Sequence, residues 1–332
     1  MAKLITDGQP HYGIVREPFT EINFRDFDLR TPLGRKRGKL AKTLGYNHFQ
    51  YFGIISPELI AGCALVNMRL GVVIFCYVFE PKTGRLVEWQ FKDIGWLSTK
   101  TVNTPTSGTS TFKRGKTSIR FENCHAPRTK RLVVSIPGAL EIDATFHESD
   151  PAFEPMCITT KTGANGWVYA QKVAGVRCQG RVECALGSYN LEAIEAFAHH
   201  DWSGGYMRRE TFWNWACISG PVDGKRLGLN VSCGVNETEF TENCFWVDGR
   251  LHKVDAVRFA YDRQNPASEW HITSYDGQID LRFTPKGRHE EVQNFLVIAS
   301  NFKQFFGEFH GRIGTYSVQG LLGFVEDQYA KW

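Results

Sequence analysis

Between residues 49 and 146 the chain runs through short alternating or wholly apolar segments, each bounded by Gly, Pro, Asn or Asp. The segments 49–55, 59–67, 71–79, 85–91, 117–122, 131–136 and 140–146 are rich in β-branched and aromatic residues, and at about five to nine residues each they predict strands. Leu140-Glu141-Ile142-Asp143-Ala144-Thr145-Phe146 alternates as a strand buried on one face does. Lys82-Thr83-Gly84 reads as a hairpin turn, and Gly175, inside the strand-like run 167–176, predicts a bulge or bend.

One segment departs from this pattern. Asn190 is placed to cap a helix over 191–198, which is acidic in its first turns and ends at His199-His200-Asp201. Strand-like runs resume at 211–219, 226–233, 243–248, 251–261, 269–275, 278–284, 295–300 and 320–326, with Asp223-Gly224, Asp248-Gly249 and Asp276-Gly277 as hairpin turns. The expected architecture is all-β: two tandem antiparallel barrels or sandwiches with one short helix near their junction. An extended arm (1–45) precedes the first barrel (46–190), and the junction helix and second barrel follow (191–332).

At 332 residues the chain exceeds the usual size of a single core. Aromatic residues are 13% of it, enough to fill β cores and also to line an apolar ligand cavity. The formal charge of +4 is mild, and the basic residues gather only at 30–42. That stretch reads first as a solvated connector and second as a peripheral contact with an anionic membrane surface; no nucleic-acid partner is expected. The longest apolar run, 70–79, is about half of what a membrane-spanning helix needs. The first ten residues lack the apolar stretch of a secretory signal, so a cytoplasmic location is expected. Nine cysteines scattered singly through apolar runs fit free thiols rather than a disulfide frame or a zinc site. Without a phosphate-cradling loop, a dinucleotide fingerprint or a Gly-x-Ser-x-Gly elbow, no cofactor and no metal are expected.

The densest chemistry lies in residues 201–215. Read as a strand, it places Tyr206, Arg208, Glu210, Phe212 and Asn214 on one face and Arg209, Thr211, Trp213 and Trp215 on the other. An arginine turned inward needs a partner, and Glu210 is the nearest to Arg208. His199 and His200 beside Asp201 form an acid–base cluster, against the plainer reading of a helix C-terminus. Downstream, Asn230 and Ser232 share a face, while Asn236, Glu237, Glu242 and Asn243 flank a turn. Glu237 and Glu242 read either as paired carboxylates or, more simply, as turn residues bonding their own backbone.

The stretch 201–215, together with Gly228-Leu229-Asn230, Gly234-Val235-Asn236-Glu237-Thr238, Glu242-Asn243, Trp246-Val247-Asp248-Gly249 and the ending 326–332, resembles the bacterial domain-of-unknown-function 2804 family, in order, from about residue 49 onward. More distantly it is similar to tandem lipocalin-like proteins such as carotenoid hydratases and tocopherol cyclases. That likeness implies lipocalin-like barrels and a cavity for a polyene, terpenoid or fatty-acyl-like molecule, with aromatic rings sheltering cationic character. The leading expectation is therefore a hydrophobic ligand held near the central motif by Trp202, Tyr206, Trp213 and Trp215. Arg208 or Arg209 anchors a polar end of the ligand, and Asn230, Asn236, Glu237 and Asn243 contribute further contacts. Acid–base chemistry by Asp201, Glu210, His199 or His200 supports hydration, cyclisation or isomerisation. The alternatives are a carrier without chemistry and a carbohydrate-active protein using Glu237 and Glu242.

Overall fold

The strands between residues 128 and 147 follow the alternation closely: Lys130, Leu132, Val134 and Ile136, then Leu140, Ile142, Ala144 and Phe146, are buried, and the residues between them are not. That period of two repeats along a computed structural model describing residues 2–331 except 69, 70, 95, 96, 150–152, 236, 296 and 297.

The arm carries three short strands, β1 (Ile5–Thr6), β2 (Gln9–Pro10) and β3 (Gly13–Val15), and a helix, α1 (Lys39–Gly45). A first sheet follows: β4 (Asn47–Ile55), β5 (Ile60–Met68), β6 (Gly71–Glu80), β7 (Arg85–Ile94), β8 (Thr99–Lys100), β9 (Gly108–Arg114), β10 (Thr117–His125), β11 (Arg128–Ile136), β12 (Leu140–His147), β13 (Met156–Lys161), β14 (Trp167–Cys184), β15 (Gly187–Asn190) and β16 (Phe197–Gly205). The second sheet holds β17 (Glu210–Val222), β18 (Lys225–Cys233), β19 (Cys244–Val247), β20 (Arg250–Lys253), β21 (Val257–Ala260), β22 (Trp270–Ser274), β23 (Ile279–Phe295), β24 (Ile298–Ile313) and β25 (Tyr316–Lys331).

Every strand pair named within these sheets is antiparallel, and most neighbours are consecutive in the chain, the exceptions including β4 beside β16, β16 beside β14, β14 beside β12, and β17 beside β25. In the first, the path runs from β7 through β4 and β16 to β14, then by β12 back to β8, while β13 and β15 hang from the long β14. Its two edges approach each other where the Arg114 guanidinium donates to the Lys92 carbonyl and Phe91 packs on Phe112. In the second, β25 returns to pair with β17, so the meander closes on itself apart from the gap between β20 and β21. The result is two barrel-like halves of an all-β chain. Phe52, Phe121, Leu132, Val134, Ile142 and Phe146 fill the first, and Ile218, Leu229, Trp270, Leu281, Phe283 and Phe309 the second. The hairpins at Asp223-Gly224 and Asp248-Gly249 form as the sequence predicts, with both residues of each at positive φ, the type I′ geometry that suits strand twist.

The helix expected over 191–198 does not form. Asn190 does cap, its Oδ1 accepting from Glu192 and Ala193 N–H, but only one turn follows before Glu195 takes a left-handed φ of 50°. From Phe197 the chain is β16, seated between β4 and β14. Two rows of inter-strand bonds outweigh the modest helical preference of Ala- and Glu-rich residues. The first sheet therefore extends to Gly205, past residue 191 where the change of unit was expected, and 206–209 crosses to the second. Among the described residues α1 in the arm is the α-helix. The arm is anchored by Phe19, Ile22, Phe24 and Phe27, which pack on Tyr46, Trp167, Tyr169, Trp202 and Tyr206.

The two halves meet on their outer faces. Along β17, Ala216 and Ile218 point into the second barrel, whereas Trp215 and Cys217 join the cluster of the first, as do Phe306 and Phe324. The rings of Trp215, Phe306 and Phe324 meet Tyr51, Tyr77 and His199 at centroid distances between 4.9 and 6.1 Å. The backbones come closest at the bulge between Val173 and Val176. There Gly175 has a φ of 74°, and its N–H donates to Ser219 Oγ at 3.0 Å. A Cβ on Gly228 would lie 2.3 Å from the Ala174 carbonyl oxygen. Gly228→Ala is therefore expected to lose about 1–3 kcal/mol in urea unfolding through overpacking, while Gly38→Ala, in open space, changes little.

Candidate functional site

Strand alternation prepares a site on the shared face. Cross-strand partners Lys172 on β14 and Asp201 on β16 both point out of the first barrel, while their neighbours Gln171 and Trp202 pair on the opposite face. Opposite them β17 presents Trp213 and Trp215, and β25 presents Glu326 and Gln328. Between these surfaces lies a cleft of about 150 Å³, walled by Phe49, Val66, Val73, Phe75 and Phe302. Its mouth lies where β5, β7 and β25 end and β6, β17 and β24 begin, beside Met68, Met207 and Lys331.

Lys172 is the hub of the cleft. Its Nζ lies 2.9 Å from Asp201 Oδ2 and 2.7 Å from Glu242 Oε1, and 4.8 Å from the Trp215 ring centroid. Asp201 belongs to the first sheet and Glu242 to the loop between β18 and β19, so one ammonium ties both halves together. Burial alone would lower the Lys172 pKa, but the two carboxylates more than reverse this and hold it charged, above its ordinary value. Burial raises the Asp201 pKa, with Lys172 opposing. Ser203 Oγ donates to Asp201 at 3.1 Å and Ser232 Oγ to Glu242 at 2.9 Å. Asn230 accepts from Trp215 Nε1 at 2.7 Å and donates to the Glu242 carbonyl at 3.0 Å, fixing both the ring and the loop.

Glu326 is the second feature. Its Oε2 accepts from Trp213 Nε1 at 3.1 Å and its Oε1 from Gln304 Nε2 at 2.8 Å. Those donors and the Lys172 charge favour the carboxylate, but burial outweighs them and pushes the pKa up to about 8, so the group carries its proton at neutral pH. Nearby, the Tyr77 hydroxyl is 2.6 Å from that of Tyr51, which is 3.4 Å from His199 Nε2. Among the described residues no three His, Cys, Asp or Glu side chains are grouped as a metal would require.

Of the residues singled out from sequence, Asp201, Trp213, Trp215, Ser232 and Glu242 line this cleft, and Asn230 supports it. Asn243 lies behind it, accepting from Ser232 N–H and donating to the Asp255 carbonyl. His199 is buried at the contact of the two halves, and burial lowers its pKa to about 3. His200 faces the other way, into the first barrel against Phe52 and 3.7 Å from Glu148, and burial keeps it neutral too. The two histidines point to opposite faces, as neighbours on a strand do, and burial keeps both neutral, so the acid–base cluster expected around Asp201 does not assemble. Trp202 and Tyr206 pack beneath the arm, the Tyr206 hydroxyl donating to the Phe24 carbonyl at 3.0 Å. Arg208, Arg209 and Glu210 are exposed, and Glu210 meets Lys331 at 3.4 Å rather than Arg208. No arginine of the motif turns inward, because 206–209 is the crossover and not part of a strand. Glu237 is partly buried in the loop after β18, where burial raises its pKa, and Asn236 lies outside the described residues.

Sequence reasoning passed over Lys172, Glu326 and Gln304. Two of them left a trace: Lys172 is a cation within the apolar run 167–176, and Glu326 ends the apolar run that β25 carries into the cleft.

The fold is shared with solved structures at low identity. Kievitone hydratase from Nectria haematococca superposes with a TM-score of 0.57 at 12% identity, over 86% of this chain and 89% of that one. CghA crystallised with Sch210972 gives 0.56 at 10% identity, over 99% and 96%. The likeness extends through both halves, and these neighbours are lipocalin-like proteins. No curated protein matches the sequence. The profile described as a domain of unknown function, DUF2804, matches residues 2–332, and the chain belongs to that family.

Proposed function

We propose that the cleft binds an apolar small molecule and protonates it, with Glu326 as the acid, leading to hydration, cyclisation or isomerisation without a cofactor. The observation that carries this reading is a carboxyl group with a pKa raised to about 8, held by two donors on the floor of an apolar cleft. A neutral acid in such surroundings delivers a proton at pH 7 where an ordinary carboxylate cannot. The proton passes from Glu326 to a carbon–carbon double bond or carbonyl of the ligand and leaves positive charge on it. Asp201 and Glu242 outnumber Lys172, and the faces of Trp213 and Trp215 are electron-rich, so the cleft favours that cation over an anionic ligand. Water, a second double bond or loss of a neighbouring proton then resolves the cation, and a proton returns to Glu326. The neighbouring folds include a hydratase by name and a protein crystallised with a small organic molecule, which agrees with this class of ligand.

The size of the cleft bounds the ligand. At about 150 Å³ it is smaller than the roughly 300–1,000 Å³ of typical small-molecule sites, so it takes a compact molecule or only the reacting end of a longer one. A carrier without chemistry is the second reading, favoured by the engagement of Asp201 in an ion pair with Lys172.

The two readings separate in deuterated water. Wild-type protein incubated with an organic extract of its own host is expected to place deuterium on one bound compound, seen by mass spectrometry. Glu326→Gln is expected to bind that compound and slow labelling about 10²–10⁴-fold. Binding without labelling in the wild type would leave the carrier reading, and unchanged labelling in the variant would rule out Glu326 as the acid. The rate is expected to fall as pH rises through about 8, where Glu326 loses its proton.

Stability follows the same group. Its folded pKa of about 8 exceeds the ordinary 4.5, so the folded state binds the extra proton between those values. Glu326 therefore contributes most below pH 4.5, and its contribution is lost as pH rises to about 8. Glu326→Gln is expected to flatten that segment of the stability profile in urea titrations across pH. Lys172→Met leaves two buried carboxylates without their cation and is expected to cost about 3–5 kcal/mol by the same measurement.

A further inference from the structure

Eight of the eleven exposed large apolar side chains among the described residues gather at one end of the molecule. Leu33, Leu40 and Leu44 come from the arm, the first 96% exposed at the tip of a tight turn that Gly34 N–H closes on the Thr31 carbonyl. Ile94 ends β7 and Leu97 follows it; Phe212 lies near the start of β17 opposite Tyr329, and Val292 lies near the end of β23. Strand register places the ends together within each sheet, because Gly71 pairs with both Met68 and Ile94, and Lys331 with both Glu210 and Ala299, and the cleft, lined by Met68, Ala299 and Lys331, joins the two sets. It is also the end at which the cleft opens. The groove lined by Leu40, Leu44 and Arg37 shares Met68 and Met207 with the cleft.

Charge surrounds these apolar tips. Residues 30–42 hold six cations and no carboxylate. Arg30 and Lys36 pair with Asp28, and Lys42 donates to the Arg25 carbonyl, whereas Arg35, Arg37 and Lys39 have no carboxylate partner among the described residues.

We propose that this end docks on the surface of an anionic phospholipid bilayer, with Leu33, Leu40 and Leu44 entering the headgroup boundary and Arg35, Arg37 and Lys39 against lipid phosphates. Separate apolar tips from several elements, with cations between them, match a deformable surface that needs no complementary shape. A protein partner needs a continuous interface, and a nucleic acid has no use for exposed leucines. Docked in this way, the mouth of the cleft faces the layer in which apolar molecules dissolve, a consequence independent of any chemistry at Glu326.

Flotation of the full chain with vesicles tests the assignment. Phosphatidylcholine vesicles containing about a third phosphatidylglycerol are expected to carry the protein upward, and phosphatidylcholine alone to carry much less. Leu33→Ser with Leu40→Ser, and separately Arg35→Glu with Lys36→Glu and Arg37→Glu, are each expected to weaken binding at least tenfold. These positions are exposed, so folding is preserved, and circular dichroism checks it. Ile14→Ser, an exposed apolar residue in β3, is expected to leave binding unchanged. Absence of binding to the anionic vesicles overturns the proposal, as does binding indifferent to both sets of substitutions. Self-association or single-stranded DNA binding that depends on the same residues, without vesicle binding, overturns it too and assigns the surface to that partner instead.

Discussion

A buried ammonium cannot stand alone in a protein interior, and Lys172 is held by carboxylates from two different halves of the chain. Asp201 comes from its own sheet and Glu242 from the other, so both ion pairs of the ammonium form only when the barrels are in contact. Every other element of the cleft is arranged about that point. The Trp215 ring lies over the ammonium, Asn230 fixes the ring and the Glu242 loop together, and the serines at 203 and 232 orient the carboxylates. Gly175 and Gly228 let the backbones approach closely enough for this to happen. The ion pair thus fixes the relative position of the barrels more than it adds to their stability, since apolar residues can replace such pairs at little cost.

This arrangement turns the usual use of a barrel inside out. Both lumens are filled by side chains, Phe52, Phe121 and Phe146 in one and Trp270, Phe283 and Phe309 in the other. The space left over lies between the convex faces, where each strand presents the residues its barrel does not need. Period-two alternation therefore serves both purposes: the neighbours of core residues become the walls of the cleft. Trp215 beside Ala216, and Lys172 beside Gln171, are the clearest cases.

Much of the architecture was legible because strands of this type carry their period in sequence. The alternating run 140–146, the Asp-Gly hairpins and the bulge at Gly175 all appear where the residues put them. Short strands of ordinary composition, such as 108–114 and 156–161, gave no such signal. The segment 191–205 misled because a cap, a helical turn and Ala-rich residues are local properties, whereas its pairing with β4 and β14 is not. The site was less legible for the same reason. Asp201, Trp213 and Trp215 stood out in a dense cluster, but their partners Lys172, Glu242 and Glu326 lie far apart in the chain and meet only through sheet register and barrel contact. Arg208, Arg209 and Glu210 were conspicuous by proximity alone, and the crossover at 206–209 leaves them in solvent.

The order of the strands also sets an order in time. The strands of the first sheet are complete by Gly205, and that half can close while the rest is still being synthesised, as domains generally do. At that stage Lys172 has Asp201 but not Glu242, and the apolar face around Tyr51 and Tyr77 has nothing against it. The second barrel closes only when β25 pairs with β17, and β25 is the strand that carries Glu326. Glu326 therefore enters its surroundings in the same step that covers the exposed face of the first half. A nascent chain offers a sticky surface to the cell before its cleft is formed, and the interval between the two is the time needed to make the second barrel.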